Sequence, residues 1–213
     1  MSMLESVKTV LVLAPHTDDG ELGCGATIAK LIDRNADVYY LAFSICETSI
    51  PSHLPPDILA TEVVSATRTL GIPRDNLMIK KYPVRQLQEY RQAILEELIT
   101  LKRGLKPDVV FLPSSTDIHQ DHQVVNNEGV RAFKHTTILG YELPWNNLNF
   151  SSTGLYILEE RYIDQKLQAV QQYKSQSHRN YLDKNLLKSI ARLRGQQANA
   201  LYAEAFEVIR WIM

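Results

Sequence analysis

Residues able to bind a metal and move protons lie together in one short stretch, His16-Thr17-Asp18-Asp19-Gly20-Glu21. The stretch follows the apolar segment 9–13, which is typical of a buried parallel strand. Ligands of open α/β sheets bind at the carboxyl ends of such strands. His16 and Asp19 offer a nitrogen and an oxygen suited to a divalent metal, and Asp18 is a second carboxylate free to take a proton. This combination indicates a hydrolytic metal site.

A second polar stretch, Ser114-Ser115-Thr116-Asp117-Ile118-His119-Gln120-Asp121-His122-Gln123, begins where another predicted strand, 109–112, ends. In a parallel sheet both stretches open at the same edge, so His119, Asp121 and His122 are expected near the first stretch. A catalytic zinc typically takes three protein ligands and leaves a position for water. The first stretch supplies two ligands and one of the two loop histidines supplies the third. The other histidine remains for acid–base chemistry.

The elements that must position these side chains alternate between strand and helix patterns. Predicted strands are 9–13, 38–44, 77–80, 109–112 and 137–141, with further candidates at 155–158 and 206–211. Predicted helices are 26–34, 57–70, 86–103, 124–133, 163–173 and 185–193, and Gly71 and Gly104 are placed at helix ends. The alternation predicts an α/β fold, Rossmann-like and doubly wound, with a mainly parallel sheet and helices on both faces. No linker or repeat divides the chain, so residues 1–213 are expected to form one domain.

Composition excludes several partner classes. The formal net charge is −1, which gives no electrostatic reason to expect nucleic acid or an anionic membrane. No apolar run approaches the roughly 20 residues of a membrane-spanning helix. The two cysteines, Cys24 and Cys46, rule out a disulfide scaffold and fit a reducing compartment. We therefore expect a cytoplasmic protein without a signal peptide, and its oligomeric state is left open, homo-oligomers included.

Both polar stretches resemble the signatures of the LmbE-like (PIG-L) zinc-dependent de-N-acetylases, which act on compounds containing N-acetylglucosamine. The signature His-Pro-Asp-Asp-x-Glu corresponds to residues 16–21, and His-x-Asp-His corresponds to residues 119–122. Similarity continues at 23–30, at Glu62, Ala66 and 70–71, and late in the chain at 173–176 and 202–206. The resemblance therefore spans nearly the whole chain in the right order.

The resemblance implies that His16, Asp19 and His122 bind Zn²⁺, with another divalent transition metal left open, and that Asp18 is the general base. We further expect His119, in its protonated form, to stabilise the tetrahedral oxyanion and then to protonate the departing amine. Asp121 is expected to orient His119 and to favour its charged form. The products would be acetate and a free amino sugar.

Some positions depart from the family pattern or have a less certain role. Thr17 replaces the usual proline, which removes a rigid φ but no ligand or base. Leu59 stands where the family often has an arginine, so a substrate contact by that arginine is not expected here. Glu21 either orients a ligand or packs at the helix start. Glu47, in the loop 45–56, and Arg194 are the candidate substrate-binding residues, although for Arg194 a solvated helix face is an equal alternative.

The sequence thus predicts a metal-dependent hydrolase that removes the acetyl group from an N-acetylated amino sugar or sugar conjugate, a small-molecule substrate. Two alternatives stay open. Aspartate pairs at strand ends also hold magnesium for phosphoryl hydrolysis, but magnesium prefers oxygen ligands and the paired histidines count against it. A non-catalytic, metal-stabilised binding protein would not need a complete set of base, ligands and acid.

Overall fold

The computed structural model describes residues 3–212 of the chain. Within this range seven strands form one sheet with the order β3-β2-β1-β4-β5-β7-β6. The strands are β1 (Thr9–His16), β2 (Asp37–Ser44), β3 (Leu77–Ile79), β4 (Val109–Pro113), β5 (Thr137–Tyr141), β6 (Gly154–Leu158) and β7 (Tyr202–Arg210). The α/β fold class and the mainly parallel sheet expected from the sequence are confirmed.

Six α-helices connect these strands in the described part of the chain. They are α1 (Asp19–Asp33), α2 (Ile58–Leu70), α3 (Arg91–Leu105), α4 (Gln120–Ala132), α5 (Glu160–Val170) and α6 (Lys184–Gln197). Short 3-10 turns lie at Met3–Ser6, Glu47–Ser49, Arg74–Asn76, Leu87–Tyr90, Lys174–Gln176 and Asn180–Leu182. No helix between residues 3 and 212 combines the length and the hydropathy that a bilayer crossing requires.

The sheet reverses its winding direction between β1 and β4. The chain runs from β1 outward to β2 and β3, and then returns to place β4 on the other side of β1. All pairings from β3 to β5 are parallel, while β7 is antiparallel to both of its neighbours, β5 and β6. The loops after β1 and β4 therefore open side by side at one edge, which is where open α/β sheets bind ligands.

Side chains of β1 alternate between two apolar layers. Val10 and Val12 pack in the layer that contains Ile28 of α1, whereas Leu11 and Leu13 pack in the layer that also holds α3 and α4 residues. A strand covered on both faces carries a continuous apolar run, which explains why residues 9–13 lack the polar alternation of an exposed sheet. The strand is thereby fixed, and so is the turn that follows it.

The structure corrects several predicted boundaries. Helix α1 begins at Asp19 and α4 at Gln120, earlier than the predicted starts at residues 26 and 124, because their polar first turns belong to the helix. Gly71 ends α2 in the left-handed conformation as expected, with φ of 95°. The prediction for Gly104 was wrong, since α3 continues through it to Leu105.

Candidate active site

Three side-chain atoms from two separate parts of the chain form a nearly equilateral triangle. His16 Nδ1 lies 3.2 Å from Asp19 Oδ2, and His122 Nε2 lies 3.2 Å from each of those two atoms. His16 ends β1, Asp19 begins α1, and His122 lies in the first turn of α4. The winding reversal between β1 and β4 brings these residues together.

Each histidine of the triangle is held by a carboxylate on its other ring nitrogen. Asp121 Oδ2 lies 3.0 Å from His16 Nε2, and Asp117 Oδ2 lies 2.7 Å from His122 Nδ1. Both carboxylates are buried. Hydrogen bonds of this kind fix the ring orientation and the tautomer of metal-binding histidines and raise their basicity.

The metal-free site concentrates opposite charges. Burial lowers the pKa of His16, but the charge of Asp19 and its bond to Asp121 outweigh burial and raise it to about 9. Burial likewise opposes the charge on His122, whereas Asp19 and Asp117 raise its pKa to about 10. Burial also disfavours the Asp19 carboxylate, yet the two histidines hold its pKa well below the usual range. Asp19 is therefore ionised.

Asp18 has a different environment from its neighbour. Burial, together with the negative charge of Asp19, raises the pKa of Asp18 to about 6, while His16 and Arg179 partly offset this rise. Asp18 occupies the N-cap position of α1, but its side chain makes no capping hydrogen bond. Its carboxylate lines the cavity beside the triangle. It is thus available to accept a proton.

The ring of His119 lies next to the triangle but is not one of its three corners. Its ring centroid lies 4.8 Å from that of His16 and 4.6 Å from that of His122. Its Nδ1 accepts a hydrogen bond from the backbone amide of Asp121 at 3.2 Å. Burial and the charges of the other two histidines lower its pKa to about 4. His119 is therefore neutral near pH 7, and its Nε2–H remains as a donor.

This arrangement corrects two expectations from the sequence. His119 is not protonated in the metal-free protein, because burial disfavours its charge and the neighbouring imidazoles repel a third positive charge. The carboxylate of Asp121 makes no hydrogen bond to His119, although its charge acts to raise the pKa of His119 as expected and its backbone N–H holds the ring. The carboxylate contacts His16 and also accepts the backbone N–H of Arg85 at 2.6 Å.

A buried network supports the turn between β1 and α1. The hydroxyls of Tyr40 and Tyr173 contact both the carbonyl of Thr17 and the carboxyl group of Glu21. The Tyr40 hydroxyl also accepts the backbone N–H of Gly20 at 3.1 Å. Burial raises the pKa of Glu21 to about 8. Glu21 thus supports the turn indirectly, through its contacts with the two tyrosine hydroxyls.

A cavity of about 550 Å³ opens onto the triangle. Besides the site residues, it is lined by Arg85 and Arg179 and by a stacked pair of rings, Trp145 and Tyr181. The two ring centroids lie 4.9 Å apart with planes 19° from parallel. Aromatic faces of this kind suit the apolar face of a sugar ring.

The two predicted substrate-binding residues lie elsewhere. Arg194 forms a bidentate ion pair with Glu142, in which Nε lies 2.9 Å from Oε2, and it lines a smaller, separate pocket. Glu47 is exposed and does not line the cavity, although its neighbours Cys46 and Ser49 do. The loop after β2 thus reaches the cavity through Cys46 and Ser49, whereas Glu47 lies outside it.

Several functional candidates were missed from the sequence. Asp117 lies two residues before His119, inside the polar stretch, so its proximity to the site was a usable signal. Arg85 and Arg179 lie in loops and Tyr181 lies in the short 3-10 turn Asn180–Leu182, and none of them belongs to a recognisable sequence pattern. Their approach to the cavity depends on tertiary structure alone.

The three atoms of the triangle fit a metal ion. Zinc lies about 2.0–2.2 Å from nitrogen and oxygen ligands, so neighbouring ligand atoms on a tetrahedral zinc are about 3.3–3.6 Å apart. The observed edges of 3.2 Å come close to this spacing. His16, His119 and His122 form an alternative cluster, but their ligand atoms spread to 4.8 Å, so Asp19 fits better than His119.

Comparisons with known proteins show which family the chain belongs to. The PIG-L family profile, described as GlcNAc-PI de-N-acetylase, matches residues 11–133. The Escherichia coli K12 protein named uncharacterized deacetylase YaiS is 30% identical over 183 residues, covering 82% of this chain and 95% of its own length.

Solved structures share the whole fold. A conserved protein of Thermus thermophilus, TT1542, superposes with a TM-score of 0.80 at 28% identity, covering 96% of this chain and 95% of its own. The N,N'-diacetylchitobiose deacetylase of Pyrococcus horikoshii gives a TM-score of 0.80 at 20% identity, covering 97% and 85%. A 4-carboxy-2-hydroxymuconate hydratase of Pseudomonas putida KT2440 also reaches 0.78 at 18% identity, covering 97% and 98%. Likeness at such identities indicates the fold, so the reaction must be argued from the side chains.

Proposed function

This chain belongs to the PIG-L family of de-N-acetylases, and from that premise we propose that it hydrolyses the acetamide of an N-acetylglucosamine-type sugar or sugar conjugate. The observation that carries the proposal is the triangle of His16, Asp19 and His122 with the uncapped carboxylate of Asp18 beside it. Three ligands with an adjacent base are what hydrolysis of an unactivated amide requires.

In this proposal His16 Nδ1, Asp19 Oδ2 and His122 Nε2 hold a zinc ion, and Asp121 and Asp117 keep the two imidazoles in place. A zinc ion bound there supplies a Lewis acid and lowers the pKa of a bound water to about 7. Two imidazole nitrogens and one carboxylate oxygen favour zinc or a similar transition metal over magnesium.

Asp18 accepts a proton from the water that attacks the amide carbonyl. The new carbon–oxygen bond forms as the carbonyl π bond opens, and the π bond forms again as the carbon–nitrogen bond breaks. Asp18 returns its proton to the departing nitrogen, and the acetic acid ionises, so that acetate and the amine leave with one proton released to the amine or to solvent. A carboxyl group with a pKa of about 6 is well matched to taking up and giving back a proton near neutral pH.

His119 stabilises the negative charge that develops on the carbonyl oxygen. Its Nδ1 is occupied by the amide of Asp121, so Nε2–H is the donor that can reach the cavity. A fixed donor inside a buried site is worth far more to a developing oxyanion than one in water. This proposal keeps the oxyanion role expected for His119 from the sequence and assigns the expected proton-donating role to Asp18.

The proposal is tested by measuring amine release from a panel of N-acetylhexosamine compounds with protein that has been stripped of metal and reloaded with zinc. We expect release of equal amounts of amine and acetate, lost in a matched Asp18→Asn preparation of equal metal content. Metal analysis of the purified protein separates the alternatives. Stoichiometric magnesium with hydrolysis of phosphate esters would favour phosphoryl chemistry, and a full metal complement with no turnover of any compound would favour a binding protein.

A further inference from the structure

Helix α1 is broken at one residue. Cys24 has φ of −142° and ψ of 23°, outside the helical range, so α1 consists of a first turn, residues 19–23, and a longer segment, residues 25–33. The first N–H groups of a helical segment have no acceptor within it, and an N-cap side chain usually accepts those of the second and third residues. The Cys24 thiol is engaged elsewhere, since it donates to the carbonyl of Gly20 at 3.3 Å.

A carboxylate from β7 caps the longer segment instead. The N–H of Ala26 donates to Glu204 Oε1 at 3.2 Å, and the N–H of Thr27 donates to Glu204 Oε2 at 2.7 Å. Ala26 and Thr27 are the second and third residues of that segment. Lys166 Nζ, on α5, lies 2.6 Å from Glu204 Oε1 and balances its charge. Both charged side chains are buried, so each of these hydrogen bonds is costly to lose.

The first turn of α1 needs a fixed direction because it carries a corner of the triangle. Asp19 Oδ2 accepts the backbone N–H of His16 at 2.8 Å and lies 3.2 Å from the ring nitrogens of both histidines. The turn also lies directly on Tyr141 of β5, where a Cβ placed on Gly23 would collide with the ring. Rotation of the turn about the break would move Asp19 away from the two histidines. The angle at the break therefore sets the shape of the triangle.

From these contacts we propose that Glu204 is a positioning residue of the site. By capping the longer segment of α1 from β7, it fixes the break at Cys24 and so holds Asp18 and Asp19 in place. Glu204 does not line the cavity, so it acts through α1 alone. Groups that orient a metal ligand commonly change metal affinity or activity when they are removed. The effect on catalysis rests on the proposed deacetylase function, whereas the effect on α1 does not.

A competing explanation is that Glu204 and Lys166 form a buried ion pair that serves stability alone. In that case, loss of Glu204 would affect the site no more than loss of any other buried carboxylate. Glu128 provides this comparison. Its carboxylate is fully buried on α4, lies outside the cavity and is paired with Arg91 and Arg131. Glu128→Gln is therefore the matched control for Glu204→Gln.

The break is tested directly by labelling the Cys24 thiol in the metal-free protein. Cys24 is fully buried, so a thiol reagent reaches it only when α1 opens, and Cys46→Ser in every protein removes the other cysteine. Urea unfolding of each variant gives the part of the labelling rate that is due to global unfolding. Beyond that part, Glu204→Gln should be labelled at least about 10-fold faster than the parent, and Glu128→Gln less than about threefold faster. Labelling of Glu204→Gln at the rate that global unfolding predicts would overturn the proposal.

Zinc binding measures the effect on the site itself. Glu204→Gln should weaken the zinc affinity by about 10- to 100-fold, whereas Glu128→Gln should change it by less than about threefold. With saturating zinc, Glu204→Gln should lower kcat for amine release and leave KM within about threefold of the parent, because the walls of the cavity are unchanged. Equal effects of the two variants on zinc affinity would contradict the positioning role.

A second variant removes the charge that Glu204→Gln leaves unpaired. In that variant the Lys166 ammonium stays buried without its carboxylate, which is costly by itself. Glu204→Gln/Lys166→Met relieves this cost but does not restore the two acceptors. Stability to urea should recover, while the zinc affinity should stay at least about 10-fold below the parent. A return to the parental affinity would show that the unpaired charge caused the loss, and the proposal would fall.

The two proposals of this section and the last fail separately. If the zinc-loaded parent hydrolysed no N-acetylated compound, the deacetylase function would fall. The labelling rate of Cys24 would still decide whether Glu204 fixes the break in α1, because that measurement needs neither metal nor substrate.

Discussion

Asp18 and Asp19 are adjacent in sequence, yet their pKa values are shifted in opposite directions because their surroundings differ. Asp19 faces two imidazolium rings, which keep it ionised, whereas Asp18 faces the buried cavity and a like charge, which raise its pKa to about 6. A pair of carboxyl groups whose environments push their pKa values apart is a common basis for dividing ligand and base roles. We therefore expect the two side chains to respond differently to the same substitution.

Asp18→Asn should keep the metal and lower kcat by about 10²- to 10⁴-fold, because it removes the base and leaves the triangle intact. Asp19→Asn should lose metal and activity together, because it removes one corner of the triangle. Metal content measured by elemental analysis alongside kcat checks both. A metal-free Asp18→Asn, or a fully loaded Asp19→Asn, would show that the two roles are reversed.

His119→Ala should retain metal and lower kcat by about 10²- to 10³-fold, the usual cost of removing one donor to an oxyanion. Because His119 is neutral near pH 7, its removal should lower the pH profile uniformly and leave both limbs where they are in the parent. His135→Ala, outside the cavity, serves as the control. Loss of the basic limb in His119→Ala would instead indicate that His119 works as a proton donor.

At the scale of single residues, the sequence was informative wherever chemistry-bearing residues sit close together in the chain. His16, Asp18, Asp19, His119 and His122 all line the cavity, as two short motifs at two strand ends suggested. The sequence did not show in the same way which side chains of different loops contact each other. The carboxylate of Asp121 contacts His16, 105 positions earlier, rather than the ring of His119, two positions earlier, and only the packed structure decides between these partners.

Among the secondary-structure elements, apolar periodicity predicted the ends of helices least accurately. Apolar periodicity located α1 to α6 but missed the first turns of α1 and α4, because these turns face the site and carry polar residues in place of the apolar stripe. Those same turns supply Asp19 and His122. The periodicity also missed the start of α5 at Glu160, but the missed first turns of α1 and α4 are the ones that supply site residues.

Packing between elements is tightest where α1 approaches the sheet. A Cβ placed on Gly20 would lie 2.7 Å from the Tyr40 hydroxyl, whereas a Cβ on Gly104 of α3 meets no atom within 4 Å. Gly20→Ala should lower the free energy of unfolding by about 1–3 kcal/mol and reduce activity, because Tyr40 supports the turn that carries Asp18.

Gly104→Ala is the opposite case, and it should raise the free energy of unfolding by up to about 1 kcal/mol, because alanine loses less backbone entropy in a helix. Urea unfolding of both variants, with kcat measured on the same preparations, checks the pair. Equal stability of the two variants would contradict the close packing described for α1.

For the whole molecule, a metal bound at the proposed site would join β1 to α4, whose His16 and His122 are more than a hundred residues apart. In the metal-free protein His16 and His122 have pKa values of about 9 and about 10, so both rings are protonated at pH 7. A metal must displace a proton from each, so binding at pH 7 should release about two protons, and metal affinity should rise as the pH increases toward 10.

Calorimetric titration of metal into the stripped protein, repeated in buffers of different ionisation enthalpy, counts the released protons. His122→Ala should abolish most of the release along with the binding. An affinity that does not vary between about pH 6 and about pH 9 would contradict the charge state assigned to the two rings.

That residues 1–213 form one domain stays a prediction. It is supported by the single sheet that spans residues 9–210.

The place of β7 in the sheet bears on how the protein acquires its structure during synthesis. β7 is the last strand of the described sheet, yet it lies between β5 and β6, and Glu204 on β7 accepts the backbone N–H groups of Ala26 and Thr27 close to the kink of α1. Chains fold from the N-terminus as they leave the ribosome. Within residues 3–212, β6 pairs with β7 alone, so it has no sheet partner until that final strand emerges. We therefore expect α1, and with it the turn that carries Asp18 and Asp19, to reach its final form only after β7 has been synthesised.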